Sequence, residues 1–179
     1  SGAVTRLPTN SIEGSSSSLE SLIGDSWGSY LALSAREDCF DVLRDPTGFM
    51  PCYVAQRGDS IFLASDIHAL RRARIAPLEV EWDRLFEFLL APGIRRASTC
   101  LAGIRELPPG VLASFRQGQS IERPLWSPWR FAHPDCRIRS EDAVDAVRDA
   151  ICTSIAAIAD GFQNIVVGMS GGLGSSAMA

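Results

Sequence analysis

Between residues 30 and 66 the chain runs through four short apolar-rich segments, YLALSA, FDVLRD, MPCYVAQ and SIFLASD, separated by AREDC, DPTG and RGD. Segments of this length and composition, bounded by Gly, Pro and Asp, are strands closed by turns. The spacing predicts a meander of antiparallel strands. Upstream lie a short strand around Val4 and a serine-rich loop that becomes a brief helix over NSIEGSSSSLESLIGDSW, with one of the serines as its N-cap.

Helical periodicity follows at DIHALRRA and at WDRLFEFLLA, where Trp82, Leu85, Phe86 and Leu89 recur at i, i+3, i+4 and i+7 and APG ends the pattern. GIRELPPGVLASF then reads as a strand pair, and RPLWSPWRFA as an irregular segment of the kind that ties two domains together. SEDAVDAVRDAICTSIAAIAD predicts a long amphipathic helix with Ser140 as N-cap, acidic residues in its first turn, and Val144, Val147, Ile151, Ile155 and Ile158 on one face. The strand NIVVGM comes next, so helix, strand and loop open an α/β unit.

Composition removes several classes of function. The chain has 179 residues, a formal charge of −4 and 46% hydrophobic residues, which is a globular composition with a pI near 5.2. A nucleic-acid partner needs a basic face that this balance does not supply. All 17 basic residues are Arg, so a lysine nucleophile, a Schiff base and a Walker-type loop are excluded within it. The five cysteines, Cys39, Cys52, Cys100, Cys136 and Cys152, form no Cys-x-x-Cys pair and read as reduced thiols. No apolar run reaches the roughly 18 residues of a membrane span, and the start has no signal-peptide core, so a cytoplasmic protein is expected.

The stretch VVGMSGGLGSSAMA carries the chemistry. Gly171, Gly172 and Gly174 permit close backbone approach, and Ser170, Ser175 and Ser176 offer hydroxyls. A helix beginning near Ser175 would point its positive end at the loop, a setting that suits an oligophosphate. The pattern alone stays ambiguous. GMSGG satisfies the Gly-x-Ser-x-Gly nucleophile elbow with Ser170 as nucleophile, and GLGSSA satisfies the Gly-x-Gly-x-x-Ala dinucleotide fingerprint; the partner residues of both motifs would lie beyond residue 179.

A third reading is a resemblance. VVGMSGGLGSS resembles the Ser-Gly-Gly-x-Asp-Ser pyrophosphate loop of ATP-pyrophosphatase enzymes, in particular the asparagine synthetase superfamily. VLRDPTGFMPCYVA with FLASDIHAL resembles the superfamily's amidotransferase-like domain, and GIRELPPG its Leu-Pro-Pro-Gly turn. WGSYLAL, DPTGFMPCY and LWSPWRFA are most similar to lasso peptide macrolactam synthetases. The resemblance implies an α+β, antiparallel β-rich amidotransferase-like domain over 1–131, including the inter-domain segment. Over 132–179 it implies the start of an α/β ATP-pyrophosphatase domain of the adenine nucleotide α-hydrolase-like type.

By the same resemblance the protein is an AMP-forming ligase using ATP and Mg²⁺. It would adenylate a side-chain carboxylate of a precursor peptide, which the peptide's N-terminal amine then attacks. A leader-processing protease and a peptide-recognition protein are the further partners implied; no nucleic acid and no membrane is expected. Ser170, Gly171, Gly172, Gly174, Ser175 and Ser176 would hold the ATP pyrophosphate, no residue is assigned to metal, and the catalytic groups are expected beyond Ala179. Asparagine synthesis and a non-catalytic nucleotide-binding scaffold are the alternatives. Two departures stand out: Gly174 occupies the position of the family's loop Asp, and none of the five cysteines aligns with the N-terminal nucleophile of glutaminase-competent relatives, so ammonia release from glutamine is not expected. A lone strand and loop cannot bury itself, so a piece of a larger protein is expected.

Other residues read as structural. His68 and His133 stand alone, Asp45 initiates a turn before Pro46, and Asp66 caps a helix. Trp126 and Trp129 suit either a peptide channel or interface packing. Arg71, Arg72 and Arg74 complement a helix end.

Overall fold

The computed structural model describes residues 5–6, 16–76, 79–94, 96–136, 139–160 and 162–178. The chain divides into two compact units, Ser1–Ser127 and Pro128–Ala179; the boundary expected from sequence falls after residue 131.

The first unit contains β1 (Thr5–Arg6), α1 (Ser16–Asp25), β2 (Ser26–Trp27), β3 (Leu31–Ala35), β4 (Cys39–Arg44), β5 (Tyr53–Arg57), β6 (Ser60–Ala64), α2 (Ile67–Arg72), α3 (Trp82–Leu90), β7 (Ile104–Glu106), β8 (Val111–Arg116) and β9 (Gln119–Pro124). The four expected strands form, yet they do not make one meander. β3 and β4 belong to a four-stranded sheet of order β3-β4-β8-β9, and β5 and β6 to a three-stranded sheet of order β6-β5-β7, with antiparallel pairing throughout both. β1 and β2 form a separate parallel pair.

Side-chain alternation explains the split. Along β4 and β8, Val42, Val111, Ala113 and Phe115 point to one face and pack with Val54 of β5 in a core between the sheets. Phe40 and Phe115, paired in the ladder, stack with centroids 4.7 Å apart. The opposite face carries Leu43 and Leu112, which close over Leu19 of α1 and Tyr30. On the far side of the three-stranded sheet Ala55 and Ile104 pack with Leu70 of α2. The result is four layers, helix, sheet, sheet and helix. β4 buries side chains on both faces, polar Asp41 and Arg44 among them, so its pattern does not show which sheet its neighbours join.

The expected strand pair in GIRELPPGVLASF is likewise divided: β7 pairs with β5 and β8 with β4. The two prolines lack N–H groups and cannot continue a ladder, so the chain crosses between sheets there. β9 was not anticipated. It is a polar, fully exposed edge strand, returned from β8 by a two-residue turn in which Gln117 and Gly118 have φ of 49° and 74°.

The second unit contains two short 3₁₀ turns (Pro128–Phe131 and Pro134–Cys136), α4 (Ser140–Ala159) and α5 (Leu173–Met178). Arg139, not Ser140, is the N-cap of α4, and no side-chain capping bond is made; Ser140 is the first helical residue. Glu141 and Asp142 occupy the first turn as expected. NIVVGM forms no strand: residues 164–170 carry no ladder bonds among the described residues. A strand is defined by a neighbour to pair with, and this unit offers none.

Candidate functional site

The glycine-serine loop closes onto α5. Gly171 adopts φ 76°, a left-handed conformation that turns the chain into the helix. α5 begins at Leu173, two residues earlier than expected, so Gly174, Ser175 and Ser176 lie inside the helix and not ahead of it. Ser175 is the buried member: its Oγ donates to Gly172 O at 3.1 Å, accepts from Ser170 N at 3.3 Å, and lies 3.2 Å from Ser170 Oγ. Ser170 Oγ accepts from Gly172 N at 3.4 Å. The Ser175 hydroxyl therefore braces the loop from inside.

All six loop residues expected from sequence come together in one turn-and-helix unit, with Ser170, Gly171, Gly172, Gly174 and Ser176 exposed. The first N–H groups of a helix lack intrahelical partners and, with exposed hydroxyls beside them, suit phosphate oxygens. A magnesium ion is a poorer match. Residues 162–178 contain no Asp or Glu, and Mg²⁺ prefers hard carboxylate oxygens. Among the described residues no group of three or more His, Cys, Asp or Glu is positioned to hold a metal.

In the first unit the two most distinctive sequence stretches meet at one buried node. Arg44 and Asp45 are 1% and 0% exposed. Arg44 Nε donates to Met50 O at 2.8 Å, Nη2 to Gly48 O at 2.7 Å, and Nη1 to Leu107 O; Nη1 also pairs with Glu106 Oε1 at 2.8 Å. The Asp45 carboxylate accepts from Thr47 N at 2.8 Å, Gly48 N at 2.9 Å and Tyr30 N at 3.3 Å, and from the Thr47 hydroxyl. This is the Asx turn read from the sequence, extended to a second strand. Gly110 N donates at 3.1 Å to the carbonyls of both Arg44 and Asp45, which ties the Pro-Pro-Gly crossing to the same point. The Arg44 guanidinium nitrogens and both Asp45 carboxylate oxygens are engaged within the fold, so the node positions the two sheets.

The remaining candidates fall where their local chemistry puts them. Asp66 is the N-cap of α2, its Oδ1 accepting from His68 N at 3.0 Å. His68 is exposed, and His133 pairs with Asp135 at 3.0 Å. Cys52 is buried, and burial pushes its thiol pKa up, against the partial opposition of the Arg44 and Arg105 charges. That is the reverse of what a nucleophile needs. Cys39 and Cys100 are half-buried and Cys152 is exposed, and all four are free thiols. The side chain of Cys136 lies outside the described residues. Trp126 packs over Gly110, where a Cβ would stand 2.8 Å from the Trp126 carbonyl oxygen, whereas Trp129 is exposed.

Sequence reasoning missed one concavity, a cleft of about 320 Å³ lined by Tyr53, Ile67, Phe88, Glu87, Arg84 and Thr99 among others. Its charged wall is self-satisfied: Glu87 receives Arg84 at 3.0 Å and Arg96 at 3.2 Å. The periodicity of α3 was its only trace in the sequence.

The family model described as the glutamine amidotransferase domain matches residues 19–126. That is more than half of the chain, and the chain belongs to this family. No curated protein sequence matches it. No helix among the described residues is long and apolar enough to cross a membrane.

Proposed function

We propose that the protein takes part in ATP-dependent amide-bond formation through an acyl-adenylate, with a peptide carboxylate as the acid to be activated. The observation that carries this reading is the loop at 170–176. It unites a left-handed Gly171, exposed serine hydroxyls and the opening turn of α5 in one turn, and it follows a domain of the amidotransferase family in the sequence.

In the reaction proposed, a carboxylate oxygen attacks the α-phosphorus of ATP and pyrophosphate departs. An amine then attacks the acyl carbon and AMP leaves as the amide forms. A carboxylate is a poor electrophile, and adenylation supplies its leaving group. The loop would hold the departing pyrophosphate through Ser170, Ser176 and the backbone N–H groups of 171–174, while Ser175 keeps the turn closed. The similarity of WGSYLAL, DPTGFMPCY and LWSPWRFA to lasso peptide macrolactam synthetases favours a precursor peptide whose own N-terminal amine is the nucleophile.

A second reading has its own support. Gly174 leaves the loop without a carboxylate, which favours nucleotide binding without turnover.

The test is release of AMP and pyrophosphate from ATP by the full natural polypeptide, with a carboxylate-bearing precursor peptide, with free aspartate, and with neither. Release triggered by the peptide and lowered about 10²-fold by Ser170→Ala supports the proposal. Release triggered by aspartate assigns asparagine synthesis. ATP binding without AMP in all three cases assigns the scaffold, and Gly174→Asp should then restore turnover if the missing carboxylate is the cause.

A further inference from the structure

The arginines of this acidic protein are not distributed evenly with respect to their partners. Arg36, Arg44, Arg84, Arg96, Arg105, Arg123, Arg139 and Arg148 each hold a carboxylate. Arg71, Arg72 and Arg74, at the end of α2, form no ion pair among the described residues, and neither do Arg57 of β5 and Arg116 of β8. Arg57, Arg71, Arg72 and Arg74 are all exposed, and three of them fall within four consecutive residues. Arg57 Nη1 donates to Arg74 O at 3.2 Å, which fixes the strand's guanidinium against the helix end, and Arg74 N donates to Arg71 O at 2.9 Å.

Complementarity to the helix end does not account for the cluster. α2 is only six residues long, its dipole acts within one turn, and one cation suffices to meet it. Arg74 also stands at φ 54°, a left-handed conformation that costs a residue with a side chain about 1 kcal/mol. Neighbouring like charges that hold no ion pair repel one another, and the arrangement is relieved when an anion is supplied.

We propose that the Arg57, Arg71, Arg72 and Arg74 patch docks an acidic segment of a partner protein, a short stretch bearing several Asp or Glu side chains. Guanidinium forks match carboxylates in two-point geometry. A short segment is favoured over a long polyanion by the charge of the rest of the molecule. The net charge is −4, and with screening over about 8–10 Å a short peptide feels the patch, while a nucleic acid or an anionic membrane must also approach acidic surface.

The experiment measures fluorescence anisotropy of a fluorescein-labelled peptide of eight glutamates against the full chain at 50 and 300 mM NaCl. It is repeated with Arg71→Glu/Arg72→Glu and with Arg36→Glu/Arg123→Glu, which makes the same change of charge on the β3–β4 turn and β9 of the other sheet. Binding that weakens with salt, falls about tenfold or more in the Arg71/Arg72 variant and changes little in the Arg36/Arg123 variant is the expected result, since each exposed charge contributes modestly and four contributions combine. The Arg71→Lys/Arg72→Lys variant should lie between. Absence of binding, equal loss in the two charge-reversed proteins, or tighter binding of an eight-nucleotide single-stranded DNA or of phosphatidylserine vesicles overturns the proposal. Circular dichroism of each variant confirms that the exposed substitutions leave the fold intact.

Discussion

Replacing Arg44 by Met is the sharpest test of how the amidotransferase domain is held together. Met retains the volume of the aliphatic stem, so little cavity is created. What disappears is the set of donors that serves the Met50, Gly48 and Leu107 carbonyls and the Glu106 carboxylate. Arg44 itself is 1% exposed, so water reaches this position only if the structure opens. Leaving three carbonyls without a donor costs about 1–3 kcal/mol each, and about 3–5 kcal/mol in all is a large part of the roughly 5–15 kcal/mol by which a domain is stable. Glu106 supplies the internal comparison. Its side chain is 23% exposed, so in Glu106→Gln the Arg44 carbonyl contacts remain and water reaches the amide; a cost of about 1 kcal/mol follows. Urea denaturation followed by tryptophan fluorescence should show a midpoint lowered by roughly 2 M for Arg44→Met, taking a slope of roughly 2 kcal/mol/M. A loss below about 1 kcal/mol for Arg44→Met, or an equal loss for Glu106→Gln, would refute the argument that the carbonyl contacts dominate.

Gly110→Ala should destabilise by about 2–4 kcal/mol, from a left-handed backbone at φ 68° and a Cβ placed 2.8 Å from the Trp126 carbonyl oxygen. Gly103→Ala, with φ 70° but nothing within 4 Å of its Cβ, should lose only the backbone cost of about 1 kcal/mol, and thermal melts that fail to separate the two would count against the contact. Tyr30, pushed up to about 12 by burial and the nearby Asp45 charge, should ionise well above the ordinary tyrosine range in an absorbance titration at 295 nm. Because its folded pKa lies above the ordinary tyrosine value of 10.0, its contribution to stability is complete below pH 10 and is lost as pH rises through about 12. A Tyr30→Phe variant should flatten that part of the stability curve.

Much of the first unit was legible because its signals are local. The Asx turn at Asp45 and the cap at Asp66 need only a carboxylate and an N–H two or three residues on, and the strands from residue 30 to 66 announce themselves by length and punctuation. The partition of those strands into two sheets was not legible. It depends on which faces of β4 and β5 meet, and β4 buries apolar side chains on both. β9 escaped because an exposed edge strand has no apolar pattern; only Gln117-Gly118 marked its turn. Arg44 was visible as a residue but not as a buried one, since its burial rests on carbonyls from two separated stretches, at 48–50 and at 107. In the second unit the six loop residues were read together from spacing, while the inward role of Ser175 depends on where α5 starts, which Gly171 sets by its conformation.

The second unit also makes a prediction about dynamics that follows from burial alone. Val144, Val147, Ile151 and Ile158 share one face of α4 and are 37–64% exposed, and residues 164–170 have no strand partner among the described residues. A helix gains most of its stability from packing an apolar face, and a 20-residue helix without such packing is marginal. β4 and β8, by contrast, are each paired on both sides and buried on both faces, so their amides exchange only when the domain opens as a whole. Hydrogen exchange should therefore be about 10³-fold or more faster in α4 and in 164–170 than at Leu43 or Ala113, for a domain whose opening costs at least about 4 kcal/mol. Equal protection in α4 would mean that its apolar face is covered in solution, and the assignment of that face as open would have to be given up.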